Sequence, residues 1–519
     1  MTPSPGSATR PELVVTLPGR TPEELKGELA LAQAAGADLV EFRLDRMRRE
    51  DIPRLEILHQ IPILHEWVPA IATVRSRAEG GEGPDDVPTR QAIVEEALQA
   101  VPFTWVDLEV ARDRPLREAL SSSYGRMVGI IGSAHLPAET SPEALLRAMH
   151  EATQLGDIGK VVLPAPVRRV THELIPLCEG FEGTRYVLHT TGPSAPLLRV
   201  MARKLRMALV YAGLPEGHHR VEPGQPPADR MRLYLDTPAH SPWYAVLGRP
   251  VTHSLSPALH HGFLEIAGLP GLYVPLELAD AKEFREEVPR LFGLGARGFN
   301  VTRPFKSDAA QLATDRDELT VVARVANTLL PPGDRGIRAR NTDVQGLERI
   351  LQELEHDGRW KEPRFLVVGS GGLARAAVAA GMEVGARVKI TARTRESAER
   401  LAAEFPPEAV TALPSSALRP EPLVVHTTPA GQDGTTRLEV PIAEALGPGT
   451  ILLDGIYLPV THELEDLARS RQATYLDGWR LLVYQAALSF QEFTGTELPW
   501  ETVLRVAASP PVKRGTSSS

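Results

Sequence analysis

A lysine interrupts an otherwise apolar run, "DIGKVVLP", at residues 157–164. An ionised lysine is costly to bury, so Lys160 either reaches solvent at a strand end or supplies an amine inside a sheltered pocket. Burial or nearby cations, such as the side chains of Arg43, Arg75 or Arg199, would keep such an amine neutral, and a neutral amine can attack a ketone. The protonated imine formed in this way draws electrons from the neighbouring carbon.

Other polar residues stand at the ends of apolar runs in the first 240 residues. Glu41 and Arg43 are two positions apart, so they share one face of a strand. A histidine has a pKa near neutrality and can take a proton from a carbon, while arginines bind carboxylates bidentately. Each residue alone could be part of a structural ion pair, but together they indicate carbanion chemistry on an acidic ketone. The set comprises Glu41, Arg43, Arg75, Glu79, His135, Lys160 and Arg199.

Length and composition set the frame for this chemistry. A chain of 519 residues is too long for one core and predicts about three domains. The net charge of −9 and the scattered basic residues argue against a nucleic-acid partner. A single cysteine, Cys178, excludes a disulfide framework and predicts no zinc or other metal cluster. With no membrane-length apolar run and no hydrophobic signal core, we expect a cytoplasmic enzyme acting on small molecules.

The apolar runs of the first half recur with helical segments between them. Thr21, Pro22 and Glu24 predict a capped helix start with a capping box, and Ser141 before Pro142 predicts another start. The pattern predicts a (β/α)8 TIM barrel whose catalytic residues lie at the carboxyl ends of its strands. The predicted strands are 13–17, 39–44, 70–75, 105–110, 127–135, 158–164, 186–190 and 232–236.

Several of these segments resemble type I 3-dehydroquinate dehydratase over about residues 11–236: "EFRLD" (41–45), "TVRSRAEGG" (73–81), "GSAH" (132–135), "DIGKV" (157–161), "TGPSAPLLR" (191–199) and "PGQ" (223–225). The resemblance implies that Lys160 forms an imine with the substrate, that His135 is the general acid and base, and that Glu79 orients His135. Val221 and Leu198 stand where the family usually has serines. The implied substrate-binding residues are Glu41, Arg43, Arg75, Arg199 and Gln225.

The second half carries a different set of polar groups. Two hydroxyls precede a predicted helix, a threonine and a lysine surround a turn, and an asparagine and an aspartate follow. Separately these residues suit caps, turns and solvated surface. Jointly they suit a polyhydroxylated ring with one reacting oxygen. They are Ser254, Ser256, Thr302, Lys306, Asn327 and Asp343.

A glycine-rich turn follows the apolar run "FLVV" and opens an alanine-rich helix. Gly369, Gly371 and Ala374 have the spacing of a dinucleotide-binding turn, in the strand–turn–helix context that such a turn requires. The next strand ends at Arg393 and Thr394, a pair that suits the 2′-phosphate of NADP better than the ribose hydroxyl of NAD.

These stretches resemble shikimate dehydrogenase over about residues 243–500. The resemblance implies that Lys306 and Asp343 are the catalytic pair for proton transfer. The family's usual Asn-Ala-Thr appears as "HTT" at 426–428, and its usual Asn-Arg-Thr appears as Ala392-Arg393-Thr394. The implied substrate-binding residues are Ser254, Ser256, Thr302, Asn327, Tyr457 and Gln485, and the implied NADP-binding residues are Gly369, Ser370, Gly371, Gly372, Leu373, Ala374, Arg393 and Thr394.

The two resemblances fall on consecutive reactions and together predict a bifunctional enzyme of the shikimate pathway. The first half would dehydrate 3-dehydroquinate, and the second would reduce the resulting 3-dehydroshikimate to shikimate with NADPH. The predicted domains are a barrel at 11–236, a substrate-binding domain at 243–344, a Rossmann-like NADP-binding domain at 345–475, C-terminal helices at 476–505 that return to the substrate domain, and a disordered tail at 506–519.

Two alternatives remain open at this point. One is a catabolic quinate/shikimate dehydrogenase fusion that uses NAD, against which Arg393 argues. The other is a non-catalytic metabolite sensor, against which the presence of Lys160, His135, Lys306 and Asp343 argues.

Overall fold

The computed structural model describes residues 10–60, 68–125, 127–181, 183–219, 221–222, 224–237, 241–251, 254–432, 438–457 and 459–510. These residues form two compact units. The first takes its residues from the ranges 1–245, 250–254 and 270–295, and the second from 246–249, 255–269 and 296–519. Parts of the predicted tail, residues 511–519, and Pro223 of the "PGQ" segment lie outside the described residues.

The first unit contains a nearly closed sheet of eight parallel strands, which confirms the predicted barrel. The strand order is β7-β6-β5-β4-β3-β2-β1-β8, so β1 pairs with both β2 and β8. The strands are β1 (Glu12–Leu17), β2 (Leu39–Arg43), β3 (Ala70–Thr73), β4 (Trp105–Glu109), β5 (Gly129–His135), β6 (Ile158–Pro164), β7 (Tyr186–Thr191) and β8 (Leu209–Ala212).

Two hydrogen bonds join the strands at the ends of this order. The backbone N–H of Ala208, just before β8, donates to the carbonyl of Tyr186 at 2.9 Å. The N–H of Tyr211 donates to Nε2 of His189, a side chain of β7, at 3.2 Å. A histidine ring therefore takes the place of a backbone acceptor where β7 and β8 meet.

Helices follow the strands around the barrel. The predicted caps form, since the Thr21 hydroxyl accepts from the N–H of Glu24 and the Ser141 hydroxyl accepts from that of Ala144. The Glu24 carboxylate bonds the N–H of Arg20, one residue before the position that a capping box requires. The helices are α1 (Pro22–Ala34), α2 (Val87–Ala100), α3 (Arg114–Tyr124), α4 (Pro142–Leu155), α5 (Val167–Arg169), α6 (Ile175–Glu179), α7 (Ala195–Met201) and α8 (Ala228–Asp236).

The prediction that residues 232–236 form the eighth strand is wrong, because this segment is the end of helix α8. Buried Met231 and Leu235 are four residues apart, and Arg232 pairs with Asp236 at 2.6 Å, both of which are helical spacings. The eighth strand is the four-residue β8.

A layer of apolar side chains fills the barrel below its polar residues. Val14, Leu39, Ile71, Ile131, Ile158, Val187 and Leu209 are at most 2% exposed, and Tyr211 and Trp105 pack with them. Because alternate residues of a strand face the same way, the residue two positions later on each strand also points inward, closer to the carboxyl end. On β1 to β7 these residues are Thr16, Glu41, Thr73, Asp107, Ser133, Lys160 and His189.

The remaining strands form two six-stranded sheets. The first has the order β10-β9-β11-β13-β14-β12, and the second has the parallel order β17-β16-β15-β18-β19-β20 that is expected of a Rossmann-like domain. The strands are β9 (Trp243–Gly248), β10 (Leu272–Glu277), β11 (Ala296–Val301), β12 (Asp315–Arg316), β13 (Thr328–Gly333), β14 (Gly336–Arg340), β15 (Arg364–Val368), β16 (Arg387–Thr391), β17 (Val410–Ala412), β18 (Leu423–His426), β19 (Ile451–Asp454) and β20 (Thr474–Leu476).

Ten helices accompany these strands among the described residues. The last one ends at Ala507, two residues into the segment predicted to be a disordered tail. None of the helices in the described part of the chain combines the length and the apolar character of a membrane span. They are α9 (Ser256–Ala267), α10 (Ala281–Gly293), α11 (Lys306–Leu312), α12 (Glu318–Ala323), α13 (Thr342–His356), α14 (Gly372–Glu383), α15 (Arg395–Ala402), α16 (Glu463–Ser470), α17 (Trp479–Thr494) and α18 (Trp500–Ala507).

Candidate active sites

A cavity of about 650 Å³ opens at the carboxyl ends of the barrel strands. It brings together all eight residues that the sequence predicted for this half of the chain. Seven of them stand on strands or in the loops and helices directly after them, and the eighth, Gln225, precedes α8. The eight are Glu41, Arg43, Arg75, Glu79, His135, Lys160, Arg199 and Gln225.

Lys160 lies in the middle of β6 and is 5% exposed. Its Nζ atom is 3.1 Å from Oδ2 of Asp107 and 3.5 Å from Oε1 of Glu41. The Tyr211 ring lies below the amine, with its centroid 4.2 Å from Nζ. The nearest charged neighbours are thus two carboxylates, whereas the sequence suggested that arginines would surround the amine.

Glu41 is fixed by two threonines on the neighbouring strands. The Thr16 hydroxyl of β1 donates to Oε2 at 2.8 Å, and the Thr73 hydroxyl of β3 donates to Oε1 at 2.9 Å. All three side chains belong to the inward polar layer. A buried carboxylate with both oxygens bonded is held rigidly, which suits a group that must orient a ligand.

His135 is the last residue of β5, and its side chain is 25% exposed. Oε2 of Glu79 accepts from the His135 backbone N–H at 3.0 Å and lies 3.3 Å from Nδ1. Burial raises the pKa of Glu79 to about 7. Burial, with the positive charges of Arg75 and Lys160, holds the pKa of His135 well below its usual range. At neutral pH the imidazole is therefore neutral and can accept a proton.

Arg75 connects Glu79, the partner of His135, with Asp107, the partner of Lys160. Its Nη2 is 2.7 Å from Asp107, and its Nη1 is 3.0 Å from Glu79, 3.1 Å from Glu109 and 3.1 Å from the Ser133 hydroxyl. Although burial alone would raise the pKa of Asp107, the charges of Arg75 and Lys160 hold it well below its usual range. Asp107 therefore stays ionised and acts as the common anchor of the two cations.

The other two arginines differ in their partners. Arg43 makes a bidentate pair with Asp45, with both nitrogen–oxygen distances at 2.8 Å. Arg199, on α7, donates to the backbone carbonyls of Tyr211 and Thr190, each at 2.9 Å, and of Ala195 at 2.5 Å. Burial lowers the pKa of Arg199 to about 10. A guanidinium that is 3% exposed and bonded to neutral carbonyls is a good receptor for an anionic ligand.

Sequence reasoning missed six inward-facing residues, among them Thr16 and Thr73, which bond Glu41. Asp107, Ser133, His189 and Tyr211 each contact Lys160, Arg75 or one another. The signal for the first three was the one that drew attention to Lys160, namely a polar residue inside an apolar strand, two positions after a core residue. Tyr211 gave no such signal, because a tyrosine is ordinary in a buried strand.

In the second unit, Lys306 and Asp343 form a close pair. Nζ of Lys306, the first residue of α11, lies 2.6 Å from Oδ2 of Asp343, in the first turn of α13. The aliphatic stem of Lys306 also packs against Gly372, where a Cβ would come within 3.0 Å of Cδ. The predicted catalytic pair therefore adjoins the glycine turn.

Three more residues lie together beside this pair. Nδ2 of Asn327 is 2.9 Å from the Thr342 hydroxyl and 3.3 Å from Oε1 of Gln485, which belongs to α17. Oδ1 of Asn327 accepts from the N–H of Thr342 at 2.8 Å. Thr342 was not predicted, although its place next to Asp343 in "NTDVQG" could have suggested it.

The remaining predicted substrate-binding residues lie at the ends of helices or strands or in the loops beside them. Ser256 begins α9 and is 7% exposed, and Thr302 follows β11 with its N–H bonded to the carbonyl of Leu247. Tyr457 is half-buried in the loop after β19. Ser254 precedes α9, and its N–H bonds the carbonyl of Val251.

The glycine turn fits a dinucleotide. Gly369 has φ +128°, and a Cβ there would lie 2.3 Å from the Thr427 hydroxyl, so only glycine can occupy this position. At Gly371, which caps α14, no atom lies within 4 Å of the position of a Cβ. Ala374 is fully buried against the sheet. An open space at the first turn of a twelve-residue helix is what a pyrophosphate requires. Ser370, Gly372 and Leu373 complete this turn.

Arg393 and Thr394 follow the end of β16, the strand beside β15. The Arg393 side chain is 73% exposed and lies 3.2 Å from Glu439. Thr394 caps α15 through its hydroxyl. An exposed guanidinium next to a helix N-terminus can reach a phosphate on the ribose of a dinucleotide. Among the described residues, no group of three or more histidine, cysteine or acidic side chains is arranged to hold a metal ion.

Comparisons with known proteins match the two halves of the chain to two enzyme families. A family model described as Type I 3-dehydroquinase matches residues 13–242, and one described as Shikimate dehydrogenase substrate binding domain matches residues 246–329. A shikimate dehydrogenase (NADP(+)) of Dinoroseobacter shibae is 34% identical over 275 residues, which are 51% of this chain and 97% of that protein. The Halobacterium salinarum protein of the same name is 37% identical over 258 residues, which are 49% and 94% of the two chains.

Two solved structures resemble this chain, one over almost its whole length and one over about half of it. The dehydroquinate dehydratase and shikimate dehydrogenase from S. pombe covers 96% of this chain and 98% of its own, with 22% identity and a TM-score of 0.43. The shikimate 5-dehydrogenase from Thermus thermophilus, solved with NADP(H) and shikimate, covers 51% of this chain and 98% of its own, with 28% identity and a TM-score of 0.44. The family models and the curated relatives carry the assignment: the chain belongs to the shikimate dehydrogenase family over its second half, and a type I 3-dehydroquinase domain precedes that half.

Proposed function

We propose that this protein catalyses two consecutive reactions, the dehydration of 3-dehydroquinate to 3-dehydroshikimate and the NADPH-dependent reduction of 3-dehydroshikimate to shikimate. The observation that carries this proposal is the presence of two lysines in one chain, each placed in a separate candidate site. Lys160 lies in a barrel cavity beside His135 and Arg199, and Lys306 pairs with Asp343 against a dinucleotide turn. The product of the first site is the substrate of the second.

In the barrel, Lys160 gives one ammonium proton to the neutral imidazole of His135, and the free electron pair of Nζ attacks the ketone carbon of 3-dehydroquinate. His135 returns the proton to the hydroxyl of the adduct, which leaves as water and gives a protonated imine. His135 removes a proton from the carbon next to the imine, and the electron pair of that C–H bond enters the conjugated enamine. The hydroxyl at the neighbouring carbon then leaves, taking a proton from His135 to become water. Hydrolysis of the imine releases 3-dehydroshikimate and restores the amine.

The surrounding charges have defined parts in this scheme. Arg199 holds the substrate carboxylate, since its donors lie in a buried wall of neutral carbonyls. Glu79, with its pKa raised to about 7 by burial, orients the imidazole of His135. Glu41, Arg43, Arg75 and Gln225 line the rest of the cavity and bind the hydroxyls.

In the second site, NADPH supplies a hydride to the ketone carbon of 3-dehydroshikimate. Lys306 donates a proton to the oxygen of that ketone, and Asp343, 2.6 Å away, holds the amine in place. Asn327 and Gln485, joined at 3.3 Å, lie where they can bind the ring hydroxyls, together with Ser254, Ser256, Thr302 and Tyr457. Arg393 and Thr394 select the 2′-phosphate of NADPH.

We place this activity in the cytoplasm, with small molecules as the only ligands required. Cys178 is 3% exposed, and burial raises the pKa of its thiol to about 12, so it is an inert core residue. A protein with one such thiol suits a reducing compartment.

One coupled assay tests the proposal. The full-length protein receives 3-dehydroquinate and NADPH, and shikimate formation is followed in the unaltered protein, in Lys160→Ala and in Lys306→Ala. Lys160→Ala should fail from 3-dehydroquinate but succeed from 3-dehydroshikimate. Lys306→Ala should accumulate 3-dehydroshikimate. If the unaltered protein forms no shikimate from 3-dehydroquinate, the bifunctional assignment is wrong.

A further inference from the structure

A chain of hydrogen bonds runs along the carboxyl edge of the sheet that contains β15 to β20. Oδ1 of Asp454, at the end of β19, lies 2.9 Å from Nδ1 of His426, at the end of β18. The other ring nitrogen, Nε2, is 2.5 Å from the hydroxyl of Thr428. His426 and Asp454 are at most 1% exposed. This is the "HTT" segment, in which the sequence departs from the family's usual residues.

The partners of Asp454 fix the protons in this chain. The Tyr475 hydroxyl donates to Oδ2 at 2.9 Å, and the N–H of Ile456 donates to Oδ1 at 3.1 Å. Burial and the charge of Asp454 raise the pKa of Tyr475, so the phenol keeps its proton. Asp454 is thus an acceptor on every side, which assigns the Nδ1 proton to His426 and leaves Nε2 to accept from the Thr428 hydroxyl.

The chain of bonds ends where the strand order of the sheet reverses. From β15 the sheet continues through β16 and β17 on one side and through β18, β19 and β20 on the other. In open parallel sheets, ligands bind in the crevice at this reversal point. The methyl group of Thr428 lies 3.4 Å from the position of a Cβ on Gly369, and both the N–H and the hydroxyl of Thr427 donate to the carbonyl of Val368. The "HTT" segment therefore forms the wall of the crevice opposite the glycine turn.

The position of the "HTT" segment indicates which half of a bound dinucleotide would lie against it. Arg393 places the phosphorylated ribose at the end of β16, and the glycine turn after β15 places the pyrophosphate. The part of the ligand that continues across the reversal point toward β18 is then the nicotinamide half. Lys306, whose stem touches Gly372, lies beside the same turn.

We propose that His426 is a positioning residue for the nicotinamide half of the dinucleotide. Asp454 holds the His426 imidazole in one orientation, and the imidazole in turn fixes the Thr428 side chain. The Thr428 methyl group then points toward Gly369, and its hydroxyl points toward Nε2 of His426. The crevice wall is thereby set before the ligand arrives, and the ligand does not have to order it. This inference rests on the proposed binding of NADPH by this domain.

The test compares two ligands that share only the adenine half. Dissociation constants for NADPH and for adenosine 2′,5′-bisphosphate are measured by titration with the full-length protein, its Thr428→Val and His426→Ala variants, and Thr411→Val as a control at an exposed position of β17. Thr428→Val keeps the shape of the side chain and removes its hydroxyl. Loss of one buried hydrogen bond predicts about tenfold weaker NADPH binding, with unchanged binding of the bisphosphate.

Two results would overturn the inference. One is unchanged NADPH affinity in both Thr428→Val and His426→Ala. The other is an equal loss of affinity for both ligands, which would mean that the hydrogen bonds only support the fold of the domain. His426→Asn, whose amide can both donate and accept, should recover most of the NADPH affinity lost in His426→Ala. Failure of the unaltered protein to bind NADPH would instead contradict the proposed function.

Discussion

The amine of Lys160 and the carboxylate of Asp107 lie 3.1 Å apart at the centre of the barrel, with the face of Tyr211 closing the space below them. Asp107 bonds Arg75 through its other oxygen at 2.7 Å. The carboxylate thus compensates two buried positive charges at once. The position of the reactive amine is set by this shared anion rather than by apolar packing alone.

Borohydride should trap the protein at one lysine. Reduction in the presence of 3-dehydroquinate should add the mass of the reduced substrate to Lys160, because an imine forms only where the ketone is bound. Peptide mass spectrometry locates the label. The exposed Lys204 serves as an internal control, and a label there or on any other lysine would contradict the assignment.

Replacing Asp107 with asparagine should damage the barrel as well as its chemistry. The change leaves Lys160 and Arg75 buried with less compensating charge, which predicts a loss of about 3 kcal/mol in the free energy of unfolding. Chemical denaturation measures this loss. Glu23→Gln removes a carboxylate that is 59% exposed and paired with Arg54, so it should cost less than about 1 kcal/mol. Equal effects of the two changes would rule out the anchoring role.

The dehydratase reaction should depend on pH through Glu79. Its pKa of about 7 means that the carboxylate is mostly protonated at pH 6 and mostly ionised at pH 8. The ionised form accepts a hydrogen bond from the Nδ1–H group of His135 and leaves Nε2 free to act as a base. The value of kcat/KM should therefore rise as the pH passes through about 7.

Glu79→Gln should lower the rate of dehydration and remove this rise. Glu139→Gln, at an exposed position of the loop after β5, should keep both the rate and the rise. A pH profile of the Glu79→Gln variant that still climbs near pH 7 would show that another group controls it.

Lys306→Met should separate the two activities. The methionine keeps the stem that packs on Gly372 and removes the proton donor, so we expect reduction of 3-dehydroshikimate to fall about 10²- to 10⁴-fold. Dehydration and NADPH affinity should remain. The exposed Lys361→Met is the matched control. A fall of less than tenfold would remove Lys306 from proton transfer.

Arg393→Gln should reduce the preference for NADPH over NADH. A charge-assisted hydrogen bond to the 2′-phosphate predicts a rise of about 10- to 100-fold in KM for NADPH, with little change for NADH. Arg395→Gln removes a guanidinium that is 70% exposed and paired with Glu399, and it should leave both values unchanged. Equal changes for the two nucleotides in Arg393→Gln would show that its side chain does not read the phosphate.

Much of the fold could be predicted because local patterns and tertiary packing agree. Seven barrel strands lie where apolar runs predict them, and Thr21 and Ser141 cap their helices as expected. The eighth strand was misplaced because the segment "RLYLD", which comes later in the chain than β8, alternates like a strand. Its helical form depends on Met231 and Leu235 packing on the barrel, which the local pattern does not reveal.

The sequence predicted which residues line the barrel cavity better than it predicted which charges surround Lys160. A polar residue inside an apolar strand is visible in the sequence, and Lys160 was found in that way, whereas Glu41 was found at the end of an apolar run. The choice between arginine and carboxylate neighbours for Lys160 depends on which strands adjoin β6 and in which register. Asp107 reaches the amine from β4 across β5, a relationship that exists only once these three strands are paired in register.

The bond between the Tyr211 N–H and the His189 ring has a consequence for solvent access. It lies at the seam of the barrel, where one side chain replaces part of a strand ladder. Opening of this bond would move the Tyr211 ring away from the Lys160 amine, so water would gain a second route to the amine, from the side opposite the cavity. Amide hydrogen exchange at Tyr211 would then report how often this second route opens, and a closed seam would limit the water that reaches the imine to the cavity side.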